Sequence, residues 1–422
     1  MHGPPVFLSP QLEVSHDTGS AKRHLFPLDG IRGLAILMVV CSHLFPRNTA
    51  ESGLSIRVLG EVLDHGAWGV DLFFVLSGFL ITGILVDTRN DRNFLKNFYA
   101  RRTLRIFPLY YGVLALLAVL TPFLHLDWGH MGWLLVFYLQ NLDVAALMRF
   151  SPRSHIELTH FWSLAVEEQF YLLWPAVVLA IGARRRLLQV TVWVSVLALL
   201  LRMVLVTIGT DWLQVHVSVV TRADALLLGG ALALLYRSAR WPLVLRWAPA
   251  VFASCFLSAV VGSVWCGHHG GRMLAYWLGL EATLLALSAC GLIAWALRPG
   301  GLVGQVFELR WITFFGKYSY GIYVWHLVAL GYLLEFFRPL LFELTHSKAL
   351  ALAGAGLLSF ALSVGVAWLS FQYFEKPFTR LKRYFEPDLV VATGLEASEV
   401  VTGSRALEPL SKPALGFRQL AK

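Results

Sequence analysis

Charge is what this sequence lacks most. Only 14% of its 422 residues are Asp, Glu, Lys or Arg, against about 25% in a soluble domain. Hydrophobic residues make up 57%, and the mean hydropathy is +0.63. That balance excludes an ordinary soluble globular enzyme. Cysteine is scarce too: Cys41, Cys255 and Cys290 lie in apolar stretches and Cys266 near the end of one, which excludes a cysteine-dense secreted scaffold. Spaced metal ligands are missing. The doublet His268–His269 has only Cys266 nearby, so no metal is expected. No internal repeat stands out, and neither does a cleavable signal peptide. The polar opening, with Lys22 and Arg23, leads into an apolar segment expected to act as an uncleaved signal anchor.

Long apolar runs are what the sequence does have. Eleven fall at about 27–46, 66–86, 106–126, 131–149, 161–183, 187–208, 216–236, 247–265, 274–297, 316–334 and 349–373, each near the ~20 residues that span a bilayer. The net charge of +9 need not imply nucleic acid, because the positive-inside rule explains it if basic residues occupy alternate loops. The stretch 87–105 holds Arg89, Arg92, Lys96, Arg101, Arg102 and Arg105. Further clusters are Arg184–Arg186, then Arg237, Arg240 and Arg246, then Arg298 and Arg310, then Lys376, Arg380, Lys382 and Arg383. All fall on one side only if segment 131–149 does not cross. That segment is also the most polar, with Gln140, Asn141 and Asp143.

The expected fold is therefore an all-α polytopic membrane protein. It has ten transmembrane helices, both termini cytoplasmic, and one non-spanning membrane-embedded segment at about 131–149, where protein or a wet cavity must surround the irregular backbone. The expected domains are a cytoplasmic tail at 1–24, a membrane domain at 25–386 and a disordered cytoplasmic tail at 387–422. That last tail has mixed charge and no sustained period.

Ionisable residues inside membrane helices are costly and usually functional. The stretch "LDGIRGLAILMVVCSHLFP" carries Arg32 and His43. Their spacing of eleven residues is about three helical turns, ~16 Å of rise with ~20° of residual rotation. Both therefore share one face, Arg32 near the cytoplasm and His43 in the outer half. "WGVDLFFVLSGFLI" brings in Asp71, with Ser77–Gly78 favoured as a close-packing site. "FWSLAVEEQFYLLWP" brings Glu167 and Glu168, "VVTRADALLLGG" brings Arg222 and Asp224, and "GKYSYGIYVWH" brings Tyr320, Tyr323 and His326. The expected division places carboxylates and histidines in the outer half and Arg101, Arg102 and Arg105 at an inner mouth. The R-x-D at 222–224 invites salt-bridged glue between helices, with structural pairing expected for Arg222.

Taken together these stretches resemble the acyltransferase 3 family of integral membrane acyltransferases. The resemblance rests on Arg32 with ten intervening residues to His43, on "FFVLSGFL", on "RRTLRIFPLYY" with Arg102 and Arg105, and on "FWSLAVEEQFYLLWP", "RADALLLGG", "YSYGIYVWH" and "FEKPF", in the expected order over about residues 24–380. It implies a bacterial inner-membrane enzyme, without a fused SGNH domain. Such an enzyme transfers an acyl group, commonly acetyl, from acyl-CoA to a hydroxyl of a glycan, glycolipid or related acceptor.

The chemistry agrees. A neutral imidazole at His43 can take the hydroxyl proton or carry the acyl group itself. Glu167 or Glu168 can fix its tautomer. Arg32, Arg102 and Arg105 can hold coenzyme A phosphates, or Arg32 can stabilise the oxyanion. Asp71, Asp224, Tyr320, Tyr323 and His326 are expected to line the substrate pocket. Two other readings stay open: a proton-coupled transporter or flippase, and an acyltransferase working at the cytoplasmic face on a small molecule such as a macrolide.

Overall fold

A computed structural model describes residues 25–44, 63, 65–151, 156–269 and 271–386. The two expected tails, 1–24 and 387–422, lie outside the described residues. Those residues form helices joined by short turns, with no strand among them. The long helices are α1 (Phe26–Leu44), α2 (Gly69–Asp87), α3 (Phe94–Leu124), α4 (Phe161–Ile181), α5 (Arg184–Thr207), α6 (Val219–Tyr236), α7 (Trp241–His269), α8 (Gly271–Ala296), α9 (Arg310–Thr345) and α10 (Lys348–Ser370). Among the described residues nine helices are long and apolar enough to cross a membrane, and α9 is a further continuous helix of 36 residues. Large apolar side chains remain exposed around the bundle, Phe123, Trp133, Leu172 and Trp193 among them. Facing water these would be a liability; facing lipid they are solvated.

The segment at 131–149 does not form a spanning helix. It breaks into a helix of 8 residues (Gly129–Val136), a 3-10 turn (Gln140–Leu142) and a helix of 5 residues (Val144–Met148). The longer piece rises only ~12 Å. Its irregular backbone is satisfied by protein. Gln140 Nε2 donates to the Phe161 carbonyl (2.7 Å), Asn141 Nδ2 to that of Val217 (3.2 Å), and Gln169 Nε2 to that of Tyr138 (2.8 Å). Gln140 and Asn141 are fully buried. The polarity that disqualified this segment as a span is what anchors it.

One boundary differs from expectation. Residues 94–105, read as loop, form the opening turns of α3. Nothing in "FLKNFYARRTLR" breaks a helix, and its basic residues extend the helix beyond its apolar stretch. Helix packing uses small residues where backbones meet. A Cβ on Gly78 would stand 1.8 Å from the Leu226 carbonyl oxygen, and one on Gly229 2.0 Å from that of Val75. Thus α2 and α6 cross at contact distance that only glycine permits, as expected at Gly78.

Candidate active site

Two chambers lie along α1, one lined by Arg32 and the other by His43, and are called inner and outer after the orientation expected from the loop charges. The inner cavity, about 110 Å³, collects residues at helical spacing from five helices. Arg32 comes from α1, Ser77 from α2, and Arg102 and Arg105 (one turn apart) from α3. Helix α4 supplies Ser163, Glu167 and Tyr171, a stripe at intervals of four, with Glu168 beside it. Ser319, Tyr320 and Tyr323 come from α9. The Arg102 guanidinium lies 5.4 Å from the Tyr171 ring centroid, and the Tyr171 hydroxyl hydrogen-bonds Ser77. Tyr320 donates to the Ile106 carbonyl (2.7 Å), and Arg32 pairs with Asp29 one turn below (3.1 Å).

The outer chamber is larger, about 840 Å³, and has a different chemistry. His43, His65, His160 and His216 line it, with Asp71, Arg222, Glu157 and Glu281, and with Trp68, Trp162 and Trp212. Val70 and Tyr323 line both chambers, so these two residues mark the boundary. There the Tyr323 and Ser163 hydroxyls hydrogen-bond each other (2.5 Å), and each lies within reach of the His160 carbonyl (2.9 and 3.1 Å).

His43 and His326 share a local device. The Nδ1 of His43 contacts the Val39 carbonyl (2.7 Å), and that of His326 contacts the Tyr323 carbonyl (2.7 Å). A carbonyl only accepts, so Nδ1 carries the proton in both, and in the neutral ring Nε2 holds the basic lone pair. The His43 and His326 centroids are 5.3 Å apart, and His326 lies 4.8 Å from His160. Burial, then the neighbouring His326 and His43, hold His160 well below the ordinary imidazole range and so neutral.

These positions sort the expected site residues. Arg32 and His43 share one face of α1, as their spacing requires, yet open onto different chambers. Glu167 and Glu168 line the inner cavity with the arginines, not the chamber that His43 lines. The expected division is therefore corrected for Glu167 and Glu168, which sit with the arginines, while Asp71 and His43 line the other chamber as expected. Because α3 begins at Phe94, Arg102 and Arg105 stand about 12 and 16 Å along it, deep enough to meet the glutamates. Asp71 lines the outer chamber, bonded to Arg222 at 2.5 Å. Asp224 lines neither chamber; it is fully buried against Arg202 at 2.6 Å and Thr283 at 2.6 Å. Arg222 and Asp224 thus both serve as salt-bridged glue between helices, as the R-x-D spacing invites, each with a partner on another helix.

Several residues escaped the sequence reading. Arg202 carried a signal, a lone charge in the middle of "LALLLRMVLV". His160, immediately before "FWSLAVEEQF", sits at the turn into α4, and Tyr171 and Ser163 follow the spacing of Glu167. Among the described residues no group of His, Cys, Asp or Glu could hold a metal ion, and the side chains of His268 and His269 lie outside the description.

Comparison with known proteins adds one family and several relatives. The family model described as "Acyltransferase domain" matches residues 27–371. Peptidoglycan O-acetyltransferase OatA of Listeria monocytogenes is 28% identical over 393 residues, covering 86% of this chain and 57% of that protein. O-acetyltransferase OatA of Staphylococcus aureus is 29% identical over 337 residues, covering 72% of this chain and 50% of its own length. The chain thus spans about half the length of these curated relatives. No solved structure matches it.

Proposed function

This chain belongs to the acyltransferase domain family, and from that premise we propose that it O-acetylates a hydroxyl of a cell-surface carbohydrate, using acyl-CoA as donor. The observation that carries the reading is the pair of chambers stacked along α1, with Arg32 in one and His43 in the other. A space of about 110 Å³ admits several waters or a narrow flexible arm, not a sugar. One of about 840 Å³ lies in the range of small-molecule sites, roughly 300–1,000 Å³. The inner cavity suits the thioester arm of a donor whose phosphates meet Arg102 and Arg105. The outer chamber, with its tryptophans, suits a sugar ring.

In this reading the acceptor hydroxyl attacks the thioester carbonyl near the boundary at Val70 and Tyr323. The Nε2 of His43 takes the hydroxyl proton as the C–O bond forms. The C–S bond then breaks, and the imidazolium returns the proton to the departing thiolate. The same nitrogen can instead accept the acyl group and pass it to the hydroxyl; either route needs the tautomer that the Val39 carbonyl fixes. General-base assistance of this kind is worth about 10²–10⁴-fold. Arg32, on the inner side, faces the developing oxyanion. Glu167 and Glu168 hold the guanidinium groups in place instead of the imidazole. Tyr320 closes the inner cavity and Tyr323 the boundary, while Asp71, with Arg222, fixes the wall of the acceptor chamber. His326 packs against His43 and orients it, and Asp224 acts only through the helix packing it secures. The protein resides in the bacterial inner membrane, with both termini and the arginine-lined mouth cytoplasmic.

Mass spectrometry of surface glycans and lipids from cells with and without the protein tests this. An acetyl increment that requires the protein and His43 is expected. A glycan changed in location but not in mass would replace transfer with flipping. An acylated small molecule beside unmodified glycans would move the acceptor to the cytoplasmic face.

A further inference from the structure

The far end of the described chain returns to the mouth of the inner cavity. Beyond α10 come a π-helical turn (Phe371–Glu375), a short helix (Lys376–Arg380) and a 3-10 turn (Leu381–Phe385). They pack against α3, which carries Arg101, Arg102 and Arg105. The positive-inside rule accounts for every basic residue here, but their placement separates one from the rest. Arg380 and Arg383 are exposed, Arg383 lying 4.9 Å from the Tyr384 ring centroid, and Lys376 donates to Gln372 Oε1 (3.4 Å). Lys382 is half-buried, and the strongest charges facing it are Arg105, Arg102, Arg101 and Arg32, every one positive.

A topological signal does not need this convergence, since cations free in water serve it as well. Holding like charges together is unfavourable; Glu167 and Glu168 offset the charge of Arg102, but among the described residues Lys382, Arg101 and Arg105 have no ion-pair partner. A polyanion would relieve the repulsion and use it. We propose that Lys382 completes, with Arg101 and Arg105, a phosphate site at the rim of the inner cavity that takes the phosphorylated nucleotide end of acyl-CoA. This rests on the donor assignment above. The narrow cavity then receives the pantetheine arm, and the rim reads the part of the donor that acetyl-pantetheine lacks.

The test uses the full chain in nanodiscs of zwitterionic lipid, with acetyl-CoA and acetyl-pantetheine as alternative donors. Lys382→Gln should raise the KM for acetyl-CoA about tenfold, the order expected for one charge-assisted bond, with kcat little changed. The KM for acetyl-pantetheine should not follow it, and Lys382→Arg should restore most of the acetyl-CoA affinity. An equal rise for both donors would make Lys382 a packing residue and overturn the inference, as would no change for either. A Lys382→Gln effect that appears only when anionic lipid is added would assign the cluster to lipid headgroups and overturn it too. If the wild type transfers nothing from acetyl-CoA, the donor assignment itself has failed. A wild type that saturates with acetyl-CoA beside an indifferent Lys382→Gln rejects the rim alone.

Discussion

Replacing Arg202 with Met should destabilise the protein strongly while leaving both chambers intact. Arg202 and Asp224 are both fully buried. The guanidinium donates from Nε to the Gly279 carbonyl (2.7 Å), from Nη1 to the Thr221 carbonyl (2.6 Å), and from Nη2 to Asp224 (2.6 Å) and Thr283 (2.5 Å). It thereby ties α5 to α6 and α8. Arg202→Met leaves Asp224 with only the Thr283 hydroxyl (2.6 Å) and the Ala225 amide (3.0 Å), and strips two carbonyls of a donor. Removing one partner of a buried ion pair costs about 3–5 kcal/mol, mostly from the charge left behind. Asp224→Asn removes that charge, so the double variant should lose less than the sum of the single ones. Denaturant unfolding in mixed micelles, followed by tryptophan fluorescence, gives the free energies. Acyl transfer per folded molecule should survive in Asp224→Asn, which lines neither chamber. Stability of Arg202→Met within about 0.5 kcal/mol of wild type, the size of an ordinary surface change, would refute the reasoning. So would an Asp224→Asn protein that folds normally and transfers nothing, which would return Asp224 to the substrate pocket.

His43→Gln should fold and insert normally yet lose transfer, because an amide neither takes a proton near neutral pH nor carries an acyl group. Substantial turnover by purified, monodisperse His43→Gln removes the imidazole from the chemistry, whereas His326→Ala should retain some. Arg102→Lys and Arg105→Lys should weaken apparent acyl-CoA affinity, since an ammonium cannot reproduce the planar fork; unchanged dependence on donor concentration would leave both as topological charges. The buried, neutral His160 couples stability to pH. Its folded-state pKa lies well below the ordinary 6.5, so the unfolded chain binds more protons between the two values. The stability this group contributes is present above pH 6.5 and is lost as pH falls below it. His160→Gln should flatten that slope in pH-resolved unfolding, and an unchanged slope would show that other groups set it.

What the sequence made legible was what one helix decides alone. The 3.6-residue period put Arg32 and His43 on one face of α1. Charge parity, together with Gln140 and Asn141, identified the segment that does not span. Partners across helices were not legible, and Arg222 and Asp224 show why. Residues two apart on a helix lie ~200° apart at 100° per residue, so they do not face each other. Their closeness in sequence therefore rules out a mutual pair. Each must find its counter-charge on a different neighbour: Arg222 on α2 at Asp71 and Asp224 on α5 at Arg202. The lone Arg202 in an apolar helix already announced that some acid must meet it, because lipid cannot solvate a guanidinium. Naming that acid takes the crossing of α5 with α6, a property of the bundle and not of either helix.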